Sequence, residues 1–238
     1  MNSTENWWRA EINWDTPAGQ ILRKFLALLP PERAFSITLY GSAPLQMTVD
    51  QSLLSGDVDL FSDNDEDLSP LIRIHQLDKE QGGFYLEAGF ELSFRTSPRW
   101  RARAKSFHIS NVTLTVPHPL DILIGKLDRL ALKDIDAFNR VIAITGHPTA
   151  EEMKYELQNA VDLFRPGFDE ESPSRFRANT EQLWREVFKT EINVQQEIIA
   201  PAIARRNRGY GEPPPDYLGI LKECSEEGEK EKHSPRQP

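Results

Sequence analysis

The segment between residues 35 and 61 constrains the fold of this chain more than any other. Phe35-Ser-Ile-Thr-Leu-Tyr40 is rich in β-branched and aromatic residues, which predicts a strand. Gly41-Ser42 interrupts that pattern, and Asp57-Val-Asp-Leu-Phe61 predicts a second short strand. Because side chains alternate along a strand, the carboxylates of Asp57 and Asp59 are expected on one face of the sheet.

These residue types suit the binding of a polyphosphate together with a metal ion. Gly41 lacks a β-carbon and lets the backbone approach a phosphate closely, while Ser42 adds a hydroxyl and an N–H. Two adjacent carboxylates, such as Asp57 and Asp59, repel each other unless a cation neutralises them. Mg²⁺ is suited to that role, because it takes oxygen ligands and usually shares them with substrate phosphates. The alternative is a solvated acidic turn, since further acidic residues follow between positions 63 and 67.

Gly-Ser, a linker and Asp-x-Asp together resemble the hallmark of the nucleotidyltransferase superfamily. The resemblance implies transfer of a nucleoside monophosphate from an NTP to a hydroxyl acceptor, with release of pyrophosphate. It implies that Gly41 and Ser42 hold the β- and γ-phosphates and that Asp57 and Asp59 bind Mg²⁺. The linker of fourteen residues between Ser42 and Asp57 is slightly longer than usual, which predicts an enlarged loop.

Members of the superfamily usually carry a third carboxylate on a later strand, where it activates the attacking hydroxyl. The region from Phe84 to Phe94 is the suitable strand region of this sequence, with Glu91 as the first candidate and Glu87 as the second. Without such a carboxylate, the chain would be a binding or regulatory protein that retains the fold without turnover. A phosphate-releasing hydrolase that uses the same two aspartates is a third, less favoured alternative.

A second resemblance lies between residues 121 and 136. Lys126-Leu, Arg129 and Lys133-Asp-Ile-Asp136 resemble a helix of the AbiEii/MenT-like nucleotidyltransferases, a group that includes toxins of bacterial toxin–antitoxin pairs. By position, Lys126 and Asp134 correspond to a lysine and an aspartate of the toxins' active site. The resemblance therefore implies catalytic roles for both residues, a nucleotide-binding role for Lys126, and a cognate antitoxin as a partner.

Helical periodicity gives an independent expectation for Asp134. In a continuous helix over 120–144, this residue falls within the apolar stripe of Leu123, Leu127 and Leu130. A buried carboxylate needs a cation or N–H donors. Lys126 lies eight residues earlier, about 12 Å along such a helix, so a direct pair requires the helix to break. We predict a buried Asp134 with a polar partner, either in the active site or in a structural ion pair.

The whole pattern predicts an α/β (strictly α+β) fold in three parts. A nucleotidyltransferase-like domain over 1–117 has a mixed sheet with flanking helices, a helical region follows over 118–208, and a tail over 209–238 is expected to be disordered. Further helices are expected over 16–29, 149–163 and 179–205. The tail is rich in proline and then charged, so it cannot bury enough apolar surface to fold alone.

Composition narrows the functional classes. A formal net charge of −9 argues against bulk, sequence-independent binding to DNA. For the basic run from Arg99 to Lys105, a strand edge protected by charge is favoured over a nucleic-acid groove. The single cysteine, Cys224, excludes an intrachain disulfide.

A cytoplasmic protein is the expectation. No segment approaches the ~18 apolar residues of a membrane span, and the first residues lack a signal-peptide pattern. The sequence leaves open which NTP is used. It also leaves open whether the acceptor is tRNA, a protein side chain or a small molecule such as an aminoglycoside.

Overall fold

The computed structural model describes residues 7–8, 10–53, 55–64, 66–165 and 175–209. The tail predicted to be disordered lies outside the described residues from position 210 onward. Within these ranges, no helix combines the length and the apolar character that crossing a membrane requires.

A mixed sheet of five strands, in the order β3-β2-β1-β5-β4, lies at the centre of the described structure. The central strand β1 pairs antiparallel with β2 and parallel with β5, β2 pairs parallel with β3, and β4 pairs antiparallel with β5. The predicted α/β architecture with a mixed sheet is confirmed at this level. The strands are β1 (Phe35–Tyr40), β2 (Asp57–Ser62), β3 (Tyr85–Ala88), β4 (Lys105–Ile109) and β5 (Val112–Val116).

Helices flank the sheet and form the second half of the described chain. The expected first helix begins after Thr16, whose side chain accepts a hydrogen bond from the Gly19 N–H, with Pro17 at the first helical position. The linker between Ser42 and Asp57 contains a short helix rather than only a loop. The α-helices are α1 (Pro17–Leu28), α2 (Ala43–Thr48), α3 (Ser69–Ile74), α4 (Trp100–Arg103), α5 (Pro119–Lys126), α6 (Leu132–Thr145), α7 (Ala150–Asn159), α8 (Arg175–Leu183) and α9 (Ala200–Gly209).

Three predicted elements are wrong. The helix expected over 179–205 is interrupted after Phe188, where Lys189 has a left-handed φ of 56°, and helical structure resumes near Gln195. The helix expected over 120–144 is interrupted between α5 and α6, where Leu130 has a left-handed φ of 44°. The basic run from Arg99 to Lys105 is mostly helix α4 rather than a strand edge, and β4 begins only at its last residue. The helix forms because Trp100 and Arg103 are both buried, and a charged strand edge would leave them in water.

Apolar side chains cover both faces of the sheet. On one face, α1 packs on a cluster that includes Ile37, Leu39, Val58 and Leu60. On the other face, a second cluster joins Phe61 of β2 to residues of the helical region. The stripe predicted from helical periodicity, Leu123, Leu127 and Leu130, is buried in this second cluster despite the helix break, together with Phe138 and Val141 of α6.

A buried ionic network ties α4 to the helical region. The Arg103 guanidinium donates to both carboxylate oxygens of Asp121 in α5, at 2.9 and 2.6 Å, and lies 2.9 Å from Glu156 Oε2 in α7. Burial raises the pKa of Asp121 to about 6, although Arg103 opposes this shift. Because α5 ends at Lys126, the network also fixes the helix that carries this predicted site residue.

Candidate active site

Three carboxylates converge at the edge of the sheet formed by β2 and β3. Asp57 and Asp59 lie on the same face of β2, as alternation predicted, and the parallel register places Glu87 of β3 beside Asp59. One oxygen from each of the three carboxylates lies within 4.8 Å of the other two. Oxygen ligands at this separation suit a divalent cation such as Mg²⁺.

The carboxylate that the structure brings beside Asp57 and Asp59 is Glu87, the second of the two candidates, and the expected position of Glu91 in the cleft is wrong. Strand β3 ends at Ala88, so Glu91 falls in a short 3-10 turn, Glu91–Ser93. Its side chain is exposed and forms an ion pair with Arg101 at 2.9 Å. Glu87 instead lies two residues after Tyr85 and on the same face of β3. The period-two rule that places Asp57 and Asp59 on one face also applies to Glu87.

Gly41 brings the end of β1 against the acidic cluster. Its φ is 69°, a left-handed conformation that L side chains rarely adopt, and a β-carbon at this position would lie 1.9 Å from Asp59 Oδ2. Two independent constraints therefore require glycine here. Ser42 follows immediately and precedes α2, so its side chain faces the same cleft.

The break between α5 and α6 brings Lys126 and Asp134 together. Lys126 Nζ donates to Asp134 Oδ1 at 3.1 Å and to Ser42 Oγ at 2.7 Å. Asp134 is fully buried, and Arg129 and the Ala131 N–H also donate to its carboxylate. Burial acts to raise the pKa of Asp134, but Lys126 and the Ala131 N–H outweigh it and hold that pKa below its usual value.

The predicted burial of Asp134 and its pairing with a polar group are therefore confirmed. A direct pair with Lys126 was expected only if the helix breaks, and it does break between α5 and α6. Asp134 positions the ammonium of Lys126 rather than lining the cleft itself. Lys126 does line the cleft, together with Gly41, Ser42, Asp57 and Asp59.

The electrostatic field around Asp59 is strongly negative. Burial, followed by the charges of Asp57 and Glu87, raises the pKa of Asp59 to about 7, and Lys126 only partly opposes this shift. Burial and the charges of Asp59 and Glu87 raise the pKa of Tyr40, at the end of β1, to about 12. Burial is the largest cause of both shifts, and the neighbouring carboxylates add to it. A bound cation would relieve the part that comes from negative charge.

The cleft itself has a volume of about 370 Å³ and two chemically different walls. The sheet contributes the acidic wall. The rest of the lining carries Arg95, Arg129 and Lys133, and it is apolar at Phe94 and Ile122. Of these cations, Arg95 pairs with Asp128 and Arg129 with Asp134. Acids of the kind that hold metals and cations of the kind that contact phosphate therefore line one cleft.

Sequence reasoning missed Arg95, Tyr40 and Tyr85 as residues of this region. Tyr85 Oη donates to Asp57 Oδ2 at 3.2 Å. Tyr85 lies two residues before Glu87 on β3, so strand alternation predicts that the two side chains share a face. Arg95 lies in an irregular segment without a motif, so no local pattern indicates its position. Comparisons with family models, curated proteins and solved structures find no match to this chain.

Proposed function

We propose that this protein is a Mg²⁺-dependent nucleotidyltransferase, which transfers a nucleoside monophosphate from an NTP to a hydroxyl acceptor. The observation that carries the proposal is the meeting of three elements in one cleft. These are the carboxylates of Asp57, Asp59 and Glu87, the Gly41-Ser42 turn, and the buried ammonium of Lys126. The elements come from separate parts of the chain, so their convergence is more informative than any one motif.

Each residue has a distinct role in this proposal. Asp57 and Asp59 hold Mg²⁺, which when bound supplies charge neutralisation at the α-phosphate and a lower pKa of the acceptor hydroxyl. The backbone of Gly41 and the hydroxyl of Ser42 contact the β- and γ-phosphates. Lys126, held in place by Asp134, neutralises part of the charge on the leaving pyrophosphate. Glu87 accepts the proton of the attacking hydroxyl.

The alternative is a nucleotidyltransferase-like protein that binds nucleotide without turnover. A third carboxylate separates the two, and Glu87 lies beside Asp57 and Asp59. Its location favours the enzyme. Within the proposed function, a toxin–antitoxin component remains a subsidiary proposal that rests only on the resemblance around Lys126 and Asp134.

The test begins with binding. Each of the four NTPs is titrated into the protein with Mg²⁺ and with EDTA, for wild type and for Asp57→Asn/Asp59→Asn. We expect Mg²⁺-dependent binding in wild type and a loss of about 100-fold or more in the double variant, because two metal ligands are removed. Mg²⁺-dependent affinity that is equal in both proteins would exclude this metal site.

Turnover is tested separately with α-labelled NTPs and a cell extract, followed by identification of the labelled product. Glu87→Gln is expected to bind NTP and to lose labelling by about 100-fold or more, as a missing general base predicts. Glu91→Gln is the matched control, since the same chemical change is made outside the cleft. Binding without labelling in wild type would favour the protein without turnover.

A further inference from the structure

A second cavity, of about 270 Å³, lies beyond the outer edge of β3. It opens between β3, helix α3 and the turn that contains Asp78 and Lys79. Glu87 lines both this cavity and the catalytic cleft. The two spaces are therefore neighbours, and the third carboxylate stands at their boundary.

The walls of this outer cavity carry two cationic side chains and one buried carboxylate oxygen without a hydrogen-bond partner among the described groups. Arg73 and Lys79 both line it, and neither forms an ion pair within the described part of the chain. The ammonium of Lys79 lies 6.0 Å from the ring centroid of Tyr85. Asp78 Oδ1 is buried and has no hydrogen-bond partner among the described groups. Such an atom is costly unless a ligand or water donates to it.

The order of the strands shows on which side of the catalytic cleft the outer cavity lies. Gly41 at the end of β1 and Glu87 on β3 flank Asp59 of β2 on opposite sides. In nucleotidyl transfer, the attacking and leaving oxygens lie roughly in line across the phosphorus atom. Since Ser42 and Lys126 occupy the β1 side with the leaving pyrophosphate, the acceptor approaches from the β3 side.

We infer that the outer cavity binds the acceptor, and that the acceptor is a small hydroxy compound carrying a phosphate or carboxylate group. This inference rests on the proposed function. The anionic group pairs with Arg73 and Lys79, a second hydroxyl or an ammonium donates to Asp78, and the apolar body contacts Ile72 and Leu86. A volume of about 270 Å³ holds a metabolite-sized molecule, and a net charge of −9 disfavours a long polyanion.

The chemical step then balances as follows. The acceptor hydroxyl oxygen attacks the α-phosphorus of the NTP, and a new O–P bond forms. The bond between the α-phosphorus and the bridging oxygen breaks, and its electron pair leaves with pyrophosphate beside Lys126. The hydroxyl proton passes to the carboxylate of Glu87. The products are a nucleotidylated acceptor and pyrophosphate.

The first experiment measures binding of a defined probe, sn-glycerol 3-phosphate, by isothermal titration calorimetry. The titration is made on the full chain with Mg²⁺, once alone and once with a saturating α,β-methylene NTP that fills the catalytic cleft. We expect binding under both conditions, weakened about tenfold or more in Arg73→Gln/Lys79→Gln, because two charge-assisted contacts are lost. Arg185→Gln/Lys189→Gln removes the same charge from the helical region and is expected to leave the affinity within about twofold.

The second experiment measures transfer of label from the α-labelled NTP to glycerol 3-phosphate. Arg73→Gln/Lys79→Gln is expected to raise the KM for the phosphorylated acceptor while leaving NTP affinity unchanged. The inference is overturned if wild type does not bind the probe, if the nucleotide analogue displaces it, if both double variants bind it equally, or if label passes only to RNA or protein. Absence of NTP binding would instead contradict the proposed function, and the probe titration without nucleotide would still report on the outer cavity.

Discussion

Two groups of carboxylates in this protein differ in burial and in the charges around them, one fully buried and the other partly exposed. In the helical region, Asp121 and Glu156 share the guanidinium of Arg103 at 2.6 and 2.9 Å. At the sheet edge, the acidic cluster of Asp57, Asp59 and Glu87 has no lysine or arginine within ion-pair distance among the described residues. The ammonium of Lys126, which partly lowers the pKa of Asp59, is engaged by Ser42 and Asp134.

Burial raises the pKa of one aspartate in each cluster, so burial alone does not explain why the two clusters differ. Burial raises the pKa of Asp121 to about 6 and that of Asp59 to about 7. At the first cluster, the compensating charge belongs to the chain, so the network is closed and holds helices together. At the second, the neighbouring carboxylates add negative charge, and no lysine or arginine of the described residues forms an ion pair with them. A difference of this kind is expected between a structural network and a site that binds a cation.

The largest expected effect comes from opening the closed network. Arg103→Met leaves the buried Asp121 without its cation and Glu156 with only Arg99 at 3.9 Å, and it is expected to cost about 3–5 kcal/mol of stability in urea unfolding. Arg101→Met is the matched control, since Arg101 is about half exposed and its pairs with Asp63 and Glu91 are screened by water. We expect that control to cost less than about 1 kcal/mol. Equal losses would contradict the distinction between the two arginines.

The next effect tests how closely the acidic cluster is packed against the Gly41 turn. Gly41→Ala adds a β-carbon 1.9 Å from Asp59 Oδ2 at a φ of 69°, whereas Gly146→Ala has a φ of 74° and open space around it. Both variants are expected to lose about 1–2 kcal/mol from the left-handed conformation alone. Only Gly41→Ala is expected to weaken Mg²⁺-dependent NTP binding, by about tenfold or more, because Asp59 must move. Similar nucleotide affinity in the two variants would argue against a site at this turn.

The open cluster also predicts a pH dependence without metal. The pKa of Asp59 lies at about 7, above its ordinary value, so the folded state binds more protons than the unfolded state between about pH 4 and pH 7. Stability in EDTA therefore falls as pH rises through this window. Asp59→Asn is expected to gain about 1–2 kcal/mol at pH 8 and nothing near pH 4. Asp136→Asn on the surface of α6 is the control, and a gain that does not depend on pH would contradict the assignment.

The smallest effect concerns the hydroxyl of Tyr85, on β3, which donates a hydrogen bond to the acidic cluster. Tyr85→Phe removes the 3.2 Å hydrogen bond to Asp57 Oδ2. Loss of one such bond corresponds to about 0.5–1 kcal/mol, or a two- to fivefold decrease in affinity for Mn²⁺ used as a spectroscopic probe. Tyr155→Phe in α7 should leave Mn²⁺ affinity unchanged. A Tyr85→Phe protein with wild-type affinity would show that Asp57 does not need this contact.

Local patterns predicted the parts of the site that lie on regular elements. Period-two alternation placed Asp57 and Asp59, and apolar periodicity placed Asp134 in the core. The region from Phe84 to Phe94 predicts a strand that would carry Glu91, whereas β3 ends at Ala88 and carries only Glu87. The break after Lys126 depends on a left-handed residue, Leu130, which no glycine or proline marks. The Lys126–Asp134 pair and the outer cavity depend on contacts between distant segments, which a local pattern cannot show.

The pairing of β1 has a consequence for synthesis on the ribosome. Its parallel partner β5 begins at residue 112, although β1 begins at residue 35. At a translation rate of 5–20 residues per second, about 4–15 seconds separate the emergence of the two strands. During that interval the edge of β1 that will bind β5 is unpaired, and such edges recruit other strands. We therefore expect the nascent chain to depend on chaperones until Val116 has left the exit tunnel.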